Sequence, residues 1–439
     1  MRLPLEICEL IIDFTADEPP LWTTREEYET FKNCALVCRA WVSRSQWNLF
    51  YSTHLDKASQ VNQLISLFSA NPALADLVQY VHVGHFLLQT TGYGDTFSKD
   101  GYIPFATGQL TRALQNARVL RLTGLTWPSY PPVYKSLLRQ FKSLVELQLN
   151  SITFGSAGDV IRMAWNCPAL HTLVLEYIRI TQPASEAECA RLQGSRRPQA
   201  CNQLRRVVLE DSDRHWQWHD SEATPPLFAL GDAVTSLQLS FNTTQPWRSG
   251  GRVLDLVSRC HALETLQLTI AFTGYEPAHP PSADSVAHPG PEPHRHAPLL
   301  AFLSSVQPGH LRKLTLILRP QVTRRTCEPP NYEEEIPGDD IPWRTYLISR
   351  SRMISKVIGH DVKAILDQER FLNLRELEFE IEDDVWTHDE DWWLEKLAAV
   401  LPRWPQRLGV KLEPPPTEDA DVSELWLADE GEDPGDAGV

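Results

Sequence analysis

The stretch that decides the fold is SLVELQLNSI, residues 143–152, in which Leu144, Leu147 and Leu149 follow the pattern L-x-x-L-x-L. Side chains two residues apart on a β-strand point to the same side of the sheet. Leu147 and Leu149 are therefore expected to face a core, while the polar residues between them face outward. The stretch predicts a strand that needs a second layer to cover its apolar side.

The same pattern recurs along the chain at intervals that suit a repeat. Chance would give on the order of one strict copy in a chain this rich in leucine, whereas the sequence has four. From position 120 to position 266, successive central positions are separated by 27, 26, 34, 30 and 29 residues, the length of one strand plus one helix. The other strict copies are Leu170/Leu173/Leu175, Leu263/Leu266/Leu268 and Leu311/Leu314/Leu316; relaxed or weak copies are Leu204/Val207/Leu209, Val234/Leu237/Leu239, Leu374/Leu377/Phe379, Val78/Val81/Val83 and Ala117/Leu120/Leu122.

Between several of these strands, apolar residues three and four apart predict helices, as in VYKSLLRQF, DVIRMAWN and VLDLVSRC. The array resembles leucine-rich repeats, which implies an α/β solenoid of stacked strand–helix units. The asparagine expected three positions after the last leucine is mostly missing, because Ile152 and Ile178 occupy that place. We therefore expect an irregular solenoid.

The first fifty residues predict three short helices. Ile7, Leu10, Ile11 and Phe14 recur at helical spacing in RLPLEICELIIDF, and TTREEYETFKNCALVC and AWVSRSQWNLFY supply two more segments. A unit this small cannot bury apolar residues on more than one face by itself. Burial of some of them against a partner is therefore expected.

This unit, LPLEICELII followed by CALVCRAWVSRSQWNLF, resembles an F-box, the three-helix motif that docks onto the Skp adaptor of cullin–RING ubiquitin ligases. The resemblance covers roughly residues 2–52, and its loop ADEPPLWTTREEYE is long, as in fungal F-box proteins. The alternative is a plain helical cap on the solenoid, with Trp41 and Trp47 as core residues. The F-box resemblance implies that the following residues contact or shape the adaptor site: Leu3, Pro4, Ile7, Ile11, Leu36, Val37 and Trp41.

The sequence thus divides into an F-box-like helical domain at 1–55, a leucine-rich-repeat-like solenoid at 56–412 and an acidic flexible tail at 413–439. Proline-rich segments at about 273–298 and 319–342 predict disordered insertions. Within the tail, SELWLA is a candidate docking motif or a segment that folds back on the solenoid's end. A tail without function is the third possibility.

Charge and composition exclude several classes of protein. The formal net charge is −16, but after Lys411 there are ten acidic residues and no basic ones, so the rest of the chain carries 41 basic and 47 acidic residues. No basic face for nucleic acid is indicated. Acidic residues interrupt the apolar N-terminus and no apolar run reaches membrane-spanning length, so a cytoplasmic or nuclear protein is expected. The eight cysteines have no zinc-site spacing and are expected to be reduced core thiols.

No motif of an enzyme stands out. GYGDT is a poor nucleotide loop, and the chain has no Walker lysine, nucleophile elbow or HExxH. In HWQWHD, His215, His219 and Asp220 could meet a metal or act as a base, although a connecting loop or an aromatic partner contact explains them as well. We therefore predict no catalytic residue, no metal site and no cofactor.

One strand carries a strict alternation of charge. RELEFEIEDD places Leu377, Phe379 and Ile381 on one side, and acids at period two on the other. This side is either a docking surface for a basic client or a solvated face at the edge of the array. Its acidic residues are Glu376, Glu378, Glu380 and Glu382.

Together, the F-box resemblance and the repeats imply a substrate-recognition subunit of an SCF-type ubiquitin ligase. Its partners would be a Skp-family adaptor, a cullin bound through that adaptor, and a client protein on the repeat surface. Such a subunit makes no bonds itself and acts by proximity. The alternative is a leucine-rich-repeat scaffold that binds a protein without any ligase.

Overall fold

The computed structural model describes residues 4–15, 25–55, 58–84, 108–127, 138–182, 187, 190, 203–210, 233–242, 257, 259–273, 302–306, 309–321, 362–368, 371, 373–382, 390–404 and 406–413. Its main element is a sheet of eleven parallel strands in the order β1-β2-β3-β4-β6-β8-β9-β10-β11-β12-β13. The strands lie beside each other in chain order, which is consistent with the predicted α/β repeat solenoid. They are β1 (Ser52–Leu55), β2 (Tyr80–Gly84), β3 (Val119–Thr123), β4 (Glu146–Asn150), β6 (Thr172–Glu176), β8 (Arg206–Glu210), β9 (Ser236–Asn242), β10 (Thr265–Thr273), β11 (Lys313–Gln321), β12 (Glu376–Glu382) and β13 (Leu408–Glu413); the short β5 (Thr153–Phe154) and β7 (Arg179–Ile180) pair separately.

The core lies on one side of the sheet and is built from the inward residues of the repeated motif. Leu147 is in register with Leu120 on one neighbour and Leu173 on the other, and all three are fully buried. Parallel strands lie about 4.8 Å apart, so each inward leucine packs against its equivalents. The predicted inward residues of both strict and relaxed copies are confirmed as core.

Helices fill several of the intervals between strands. DVIRMAWN was expected to be helical, and a helix over Ala157–Trp165 confirms it. In VYKSLLRQF the described part is a single 3-10 turn over Leu138–Gln140. The α-helices are α1 (Leu5–Phe14), α2 (Arg25–Val37), α3 (Arg39–Tyr51), α4 (Ala58–Ala70), α5 (Pro72–Ala75), α6 (Gln109–Ala113), α7 (Ala157–Trp165), α8 (Lys363–Leu366) and α9 (Glu390–Val400).

A ladder of backbone hydrogen bonds lies beside the positions at which the repeat lacks its asparagine. Gly124, Ser151 and Tyr177 each follow a strand and adopt positive φ, at 68°, 53° and 53°. Each donates its N–H to the carbonyl of the last residue of the next strand in the sheet, over 2.9, 2.9 and 3.3 Å. The chain can therefore turn out of the sheet without asparagine, and Ile152 and Ile178 are left free to pack in the core.

The sheet extends further than the motif predicted. β1 precedes the first weak copy and lies within the segment 1–55, and β13 follows the last relaxed copy. β10 and β11 also run into the two predicted insertions, because their pairing continues to Thr273 and Gln321. The rest of both insertions, and the chain after Glu413, lie outside the described residues.

Gly84 marks a place where the strands leave no room for a side chain. Its φ is +129°, and an added Cβ would lie 1.9 Å from the carbonyl oxygen of Thr123. We expect Gly84→Ala to lower the free energy of unfolding by more than about 2 kcal/mol. Gly309→Ala is the matched control, because no atom lies within 4 Å of its added Cβ. Urea denaturation measures the free energy of unfolding of both variants. Equal midpoints would contradict the close approach of Gly84 to the carbonyl of Thr123.

Candidate functional site

The three N-terminal helices form a unit attached to the first strand of the sheet. α1 and α2 each pack against α3, and α3 also contacts β1 and α5. The apolar side chains that hold the unit together include Ile12 and Phe31, both fully buried, and Cys8. α3 is thus the element that joins the outer helices to the sheet.

Many large apolar side chains of this unit are exposed to solvent. Nine large hydrophobic side chains are exposed among the described residues, and eight of them lie on α1 and α2. Phe14 and Leu36 are more than four-fifths exposed, at 81% and 83%. The ninth is Leu67 on α4. The eight, which we call the N-terminal apolar patch, are Leu5, Ile7, Leu10, Ile11, Phe14, Tyr28, Leu36 and Val37.

α1 is apolar on two opposite sides. At 100° per residue, Cys8 and Ile12 point toward one side, which is the buried one. Four patch residues fall within an arc of roughly 100° on the other side of the helix: Ile7, Leu10, Ile11 and Phe14. A helix apolar on both sides is typical of an element that packs on its own domain and on something else.

An ion pair fixes the end of α1 against α3. The guanidinium of Arg44 donates from Nε and Nη2 to the two carboxylate oxygens of Asp13, at 2.6 and 2.5 Å. Asn48 donates to the same carboxylate at 3.2 Å, and the guanidinium lies 4.3 Å from the ring centroid of Trp47. The hydrogen bond to Asp13 raises the pKa of Arg44. This forked geometry fixes the orientation of α1 on α3, and with it the part of the patch that lies on α1.

Most of the predicted adaptor-contact residues lie at this surface. Pro4 is the exposed N-cap of α1, Ile7 and Ile11 are each 42% exposed, and Trp41 on α3 is half-buried. Leu36 and Val37 end α2 and belong to the patch, whereas Leu3 lies outside the described residues. The prediction omitted four residues of the patch: Leu5, Leu10, Phe14 and Tyr28. Two of these, Leu10 and Phe14, lie at helical spacing from Ile7 and Ile11 and could have been included on that ground.

The outward side of the first strands carries a partly buried polar network. Arg121 on β3 forms an ion pair with Glu176 on β6 at 3.3 Å, and Asn150 on the intervening β4 donates to the same carboxylate. Tyr80 on β2 is 2% exposed, and its hydroxyl lies 3.5 Å from Oε1 of Gln148. Burial raises the pKa of Tyr80 despite the adjacent Arg121. These polar contacts tie four strands together on the side opposite the leucines.

The acidic row on β12 is paired with lysines from both neighbouring strands. Nζ of Lys313 lies 2.7 Å from one carboxylate oxygen of Glu378, and Nζ of Lys411 lies 2.6 Å from the other. The side chains of Glu378 and Glu380 are each only 13% exposed, whereas Glu376 is 66% exposed. β12 is also an inner strand rather than the edge. Of these three acids, Glu376 is the most exposed, and Nζ of Lys313 also lies 3.6 Å from its carboxylate; the side chain of Glu382 is not described.

The remaining predictions concern candidate catalytic or metal-binding residues, membrane-spanning segments and cysteines. His215, His219 and Asp220 lie outside the described residues. Within the described ranges no cluster of three or more histidine, cysteine or acidic side chains suits a metal, and no described helix is long and apolar enough to cross a membrane. Cys34 is a free thiol whose pKa is raised by burial, which makes it a weak nucleophile.

Comparison with known proteins gives little. No protein-family model matches the chain, and no curated protein matches it. Among solved structures, the chain is similar to a leucine-rich-repeat protein of Leptospira interrogans, with 12% identity, 95% of this chain and 96% of the other covered, and a TM-score of 0.22.

The Asp13–Arg44 pair is expected to stabilise the N-terminal unit. Both side chains are about one-third exposed, so solvent screening limits the effect, and Asp13→Asn should lower the free energy of unfolding by about 1 kcal/mol. Glu29→Gln is the control, because the exposed Glu29–Lys32 pair on α2 should contribute less than about 0.5 kcal/mol. Chemical denaturation followed by circular dichroism measures both changes. Equal decreases in the free energy of unfolding would mean that the two hydrogen bonds from Arg44 to Asp13 stabilise the protein no more than an exposed ion pair does.

Glu378 should make stability depend on pH. Burial alone would raise its pKa, but hydrogen bonds from Lys313 and Lys411 outweigh burial and hold the pKa below its usual value. The ionised form therefore stabilises the fold at neutral pH. This contribution starts to decrease as the pH falls below the ordinary pKa of glutamate, about 4.3, and is lost as the pH falls through the lowered pKa of Glu378. Glu378→Gln should be less stable than the wild type at pH 7, and the difference should shrink in acid. Thermal melts between pH 7 and pH 3 would contradict this if the difference stayed constant.

Proposed function

We propose that the chain is the substrate-recognition subunit of an SCF-type ubiquitin ligase, with the N-terminal apolar patch as the site for a Skp-family adaptor. The observation that carries the proposal is the concentration of exposed apolar side chains on α1 and α2. Soluble proteins rarely expose this many large apolar side chains on two helices of one small unit without a partner for them. The F-box resemblance of the sequence names the kind of partner.

The geometry suits docking onto an apolar surface. Full burial of one leucine, isoleucine or phenylalanine side chain contributes about 1.5–3 kcal/mol. Even partial burial of the patch residues on α1 would therefore support a stable complex after the cost of association. α1 reaches the partner with its outer side while Cys8 and Ile12 remain packed on the other. Docking needs no rearrangement of the unit.

The same arrangement accounts for how such a subunit would act. α3 contacts both the patch-bearing helices and β1, so an adaptor on the patch is connected to the sheet through one helix. A client bound on the repeats would be held near the ubiquitin-charged subunit, which raises the effective concentration of its lysines. No side chain of this chain is a nucleophile in that reaction. A cullin would be bound only through the adaptor.

The second candidate is a repeat scaffold whose N-terminal helices serve as a cap. The contact of α3 with β1 favours this function, because a cap must cover the first strand. α1 and α2 would then need no apolar outer side, and a cap with a polar outer face is the rule in solenoids. The exposure of Ile7, Leu10 and Phe14 therefore favours docking over capping.

The test is co-purification with a Skp adaptor after co-expression. The variants replace side chains whose exposed fractions are nearly equal. Ile7→Glu combined with Ile11→Glu places two charges in the patch and should reduce adaptor binding at least about 100-fold, because buried unpaired carboxylates are costly. Leu67→Glu is the matched control: Leu67 is 39% exposed, close to the 42% of Ile7 and Ile11, but lies on α4. It should bind like the wild type. Circular dichroism melts verify that both variants fold.

Two results would count against the proposal. Wild-type protein that is soluble and folded yet does not bind the adaptor would leave the scaffold function as the better conclusion. Equal loss of binding in the patch variant and in Leu67→Glu would place the contact elsewhere.

A further inference from the structure

One repeated hydrogen-bond pattern aligns the amino-terminal ends of the strands. From β2 to β11, a carbonyl just before each strand accepts the N–H groups of two successive residues on the next strand in the sheet. The carbonyl of Glu264, for instance, accepts from Arg312 at 2.8 Å and from Lys313 at 3.0 Å. We call the aligned positions the amino edge: residues 51–52, 79–80, 118–119, 145–146, 171–172, 205–206, 235–236, 264–265, 312–313, 375–376 and 406–407.

The amino edge is basic although the chain as a whole is acidic. It holds seven basic residues against three acidic ones, Glu146, Glu264 and Glu376, whereas the formal net charge of the chain is −16. Local sequence patterns do not reveal this excess, because the basic residues come from separate repeats. They are Arg118, Arg205, Arg206, Arg312, Lys313, Arg375 and Arg407.

Most of this positive charge is not neutralised within the described part of the chain. All six arginines are exposed, and none of them forms an ion pair with a described residue. Arg205 and Arg407 donate to backbone carbonyls at 3.2 and 2.8 Å, and Arg206 donates to a glutamine side chain on β9 at 3.2 Å. Lys313 differs, because a carboxylate oxygen of Glu378 lies 2.7 Å from its Nζ. The arginines therefore keep their charge available for a partner.

Arg312 and Arg375 are the most open to an anion. The N–H of Arg375 donates to the carbonyl of Arg312 at 2.7 Å, so the two residues are neighbours on adjacent strands, about 4.8 Å apart. Neither side chain has a hydrogen-bond or ion-pair partner among the described residues. Each residue stands two positions before an inward leucine, Leu314 or Leu377, but lies beyond the end of the core and is exposed. Two positive charges this close repel each other, and a bound anion would relieve the repulsion.

The acidic residues nearby do not neutralise these two arginines. The carboxylates of Glu376 and Glu378 lie 3.6 and 2.7 Å from Nζ of Lys313. These three residues share the outward side of the sheet, whereas the residue just before each strand falls on the other side. Glu264 precedes Arg312 in the amino edge, on β10, but forms no ion pair with a described residue. The acids at this end are thus held by lysine rather than by arginine.

We propose that the amino edge at β11 to β13 docks a short acidic segment of a partner protein, with Arg312 and Arg375 as its main contacts and Arg407 beside them. Guanidinium groups bind carboxylates through two parallel hydrogen bonds. The three arginines start successive strands and span about 10 Å, which suits carboxylates on alternate residues of an extended chain, about 7 Å apart. A single phosphate is too small to reach across that span.

The acidic segment supplies the chemistry of the client in the proposed ligase. That assignment to a client rests on the proposed function. The docking surface itself does not, because it lies on the repeats, away from the N-terminal apolar patch, and would equally serve a scaffold.

Fluorescence anisotropy with the full chain tests the docking surface. The probe is a labelled peptide of alternating glutamate and serine, and glutamine replaces glutamate in the control peptide. At low ionic strength, where exposed charges are least screened, the acidic peptide should bind at least about tenfold more tightly than the control peptide. Equal affinities for the two peptides would overturn the proposal.

Two double variants with the same change in net charge locate the site. Arg312→Glu combined with Arg375→Glu should weaken binding of the acidic peptide at least about tenfold, because two attractions become repulsions. Lys32→Glu combined with Arg179→Glu is the matched control, since both residues are exposed and lie on α2 and β7, outside the amino edge. It should bind the acidic peptide like the wild type. Equal weakening in both double variants would reduce the interaction to unspecific attraction and would overturn the proposal.

Two further measurements separate this proposal from its alternatives. A phosphoserine peptide that binds where the glutamate peptide does not would overturn the proposal and assign the arginines to a phosphate. Arg312→Glu combined with Arg375→Glu should still co-purify with the Skp adaptor, because the N-terminal apolar patch is unchanged. Adaptor binding without peptide binding in the wild type would therefore contradict the docking surface alone, and peptide binding without adaptor binding would contradict the ligase function alone.

Discussion

The structure depends on one constraint: the inward leucines of each strand are buried only if a neighbouring strand brings its own leucines alongside in register. Leu147 is fully buried because Leu120 and Leu173 flank it. The core therefore grows strand by strand and is incomplete wherever the array stops. Both ends of the sheet must solve the same problem, and the N-terminal and C-terminal ends of this chain are built differently.

The leucine pattern predicts the inner strands well because burial on one side of a strand constrains every second residue. Even the weak copies at Val81 and Leu120 are strands with buried inward positions. β1 was missed because STHL is short and mostly polar, and β13 because Pro405 stands where the motif has its first leucine. The turns that replace the asparagine ladder use backbone N–H groups, which leave little trace in the residue types. For that reason the sequence indicated an irregular array but not how it turns.

The sites were harder to predict than the strands, for reasons of geometry. Helical spacing finds the apolar residues of α1 but does not say which side faces α3, so Phe14 was not singled out as a surface residue. The acidic strand looked like a solvated row because the lysines that pair with Glu378 come from β11 and β13, far away in the sequence. Only the register of three strands reveals that Glu378 is paired with two lysines and largely buried, while Glu376 is mostly exposed and has one more distant lysine partner.

The two ends of the sheet differ in what they leave uncovered. At the N-terminal end α3 packs against β1, so the core is closed there and the exposed apolar surface is the outer side of α1 and α2. At the C-terminal end the core residues of β13 themselves are partly open. The outer edge of β13, the last strand in the sheet order, is a strand edge at which an extended chain can pair. An apolar patch on helices carries no such row of unpaired backbone groups, and it can remain available for another protein.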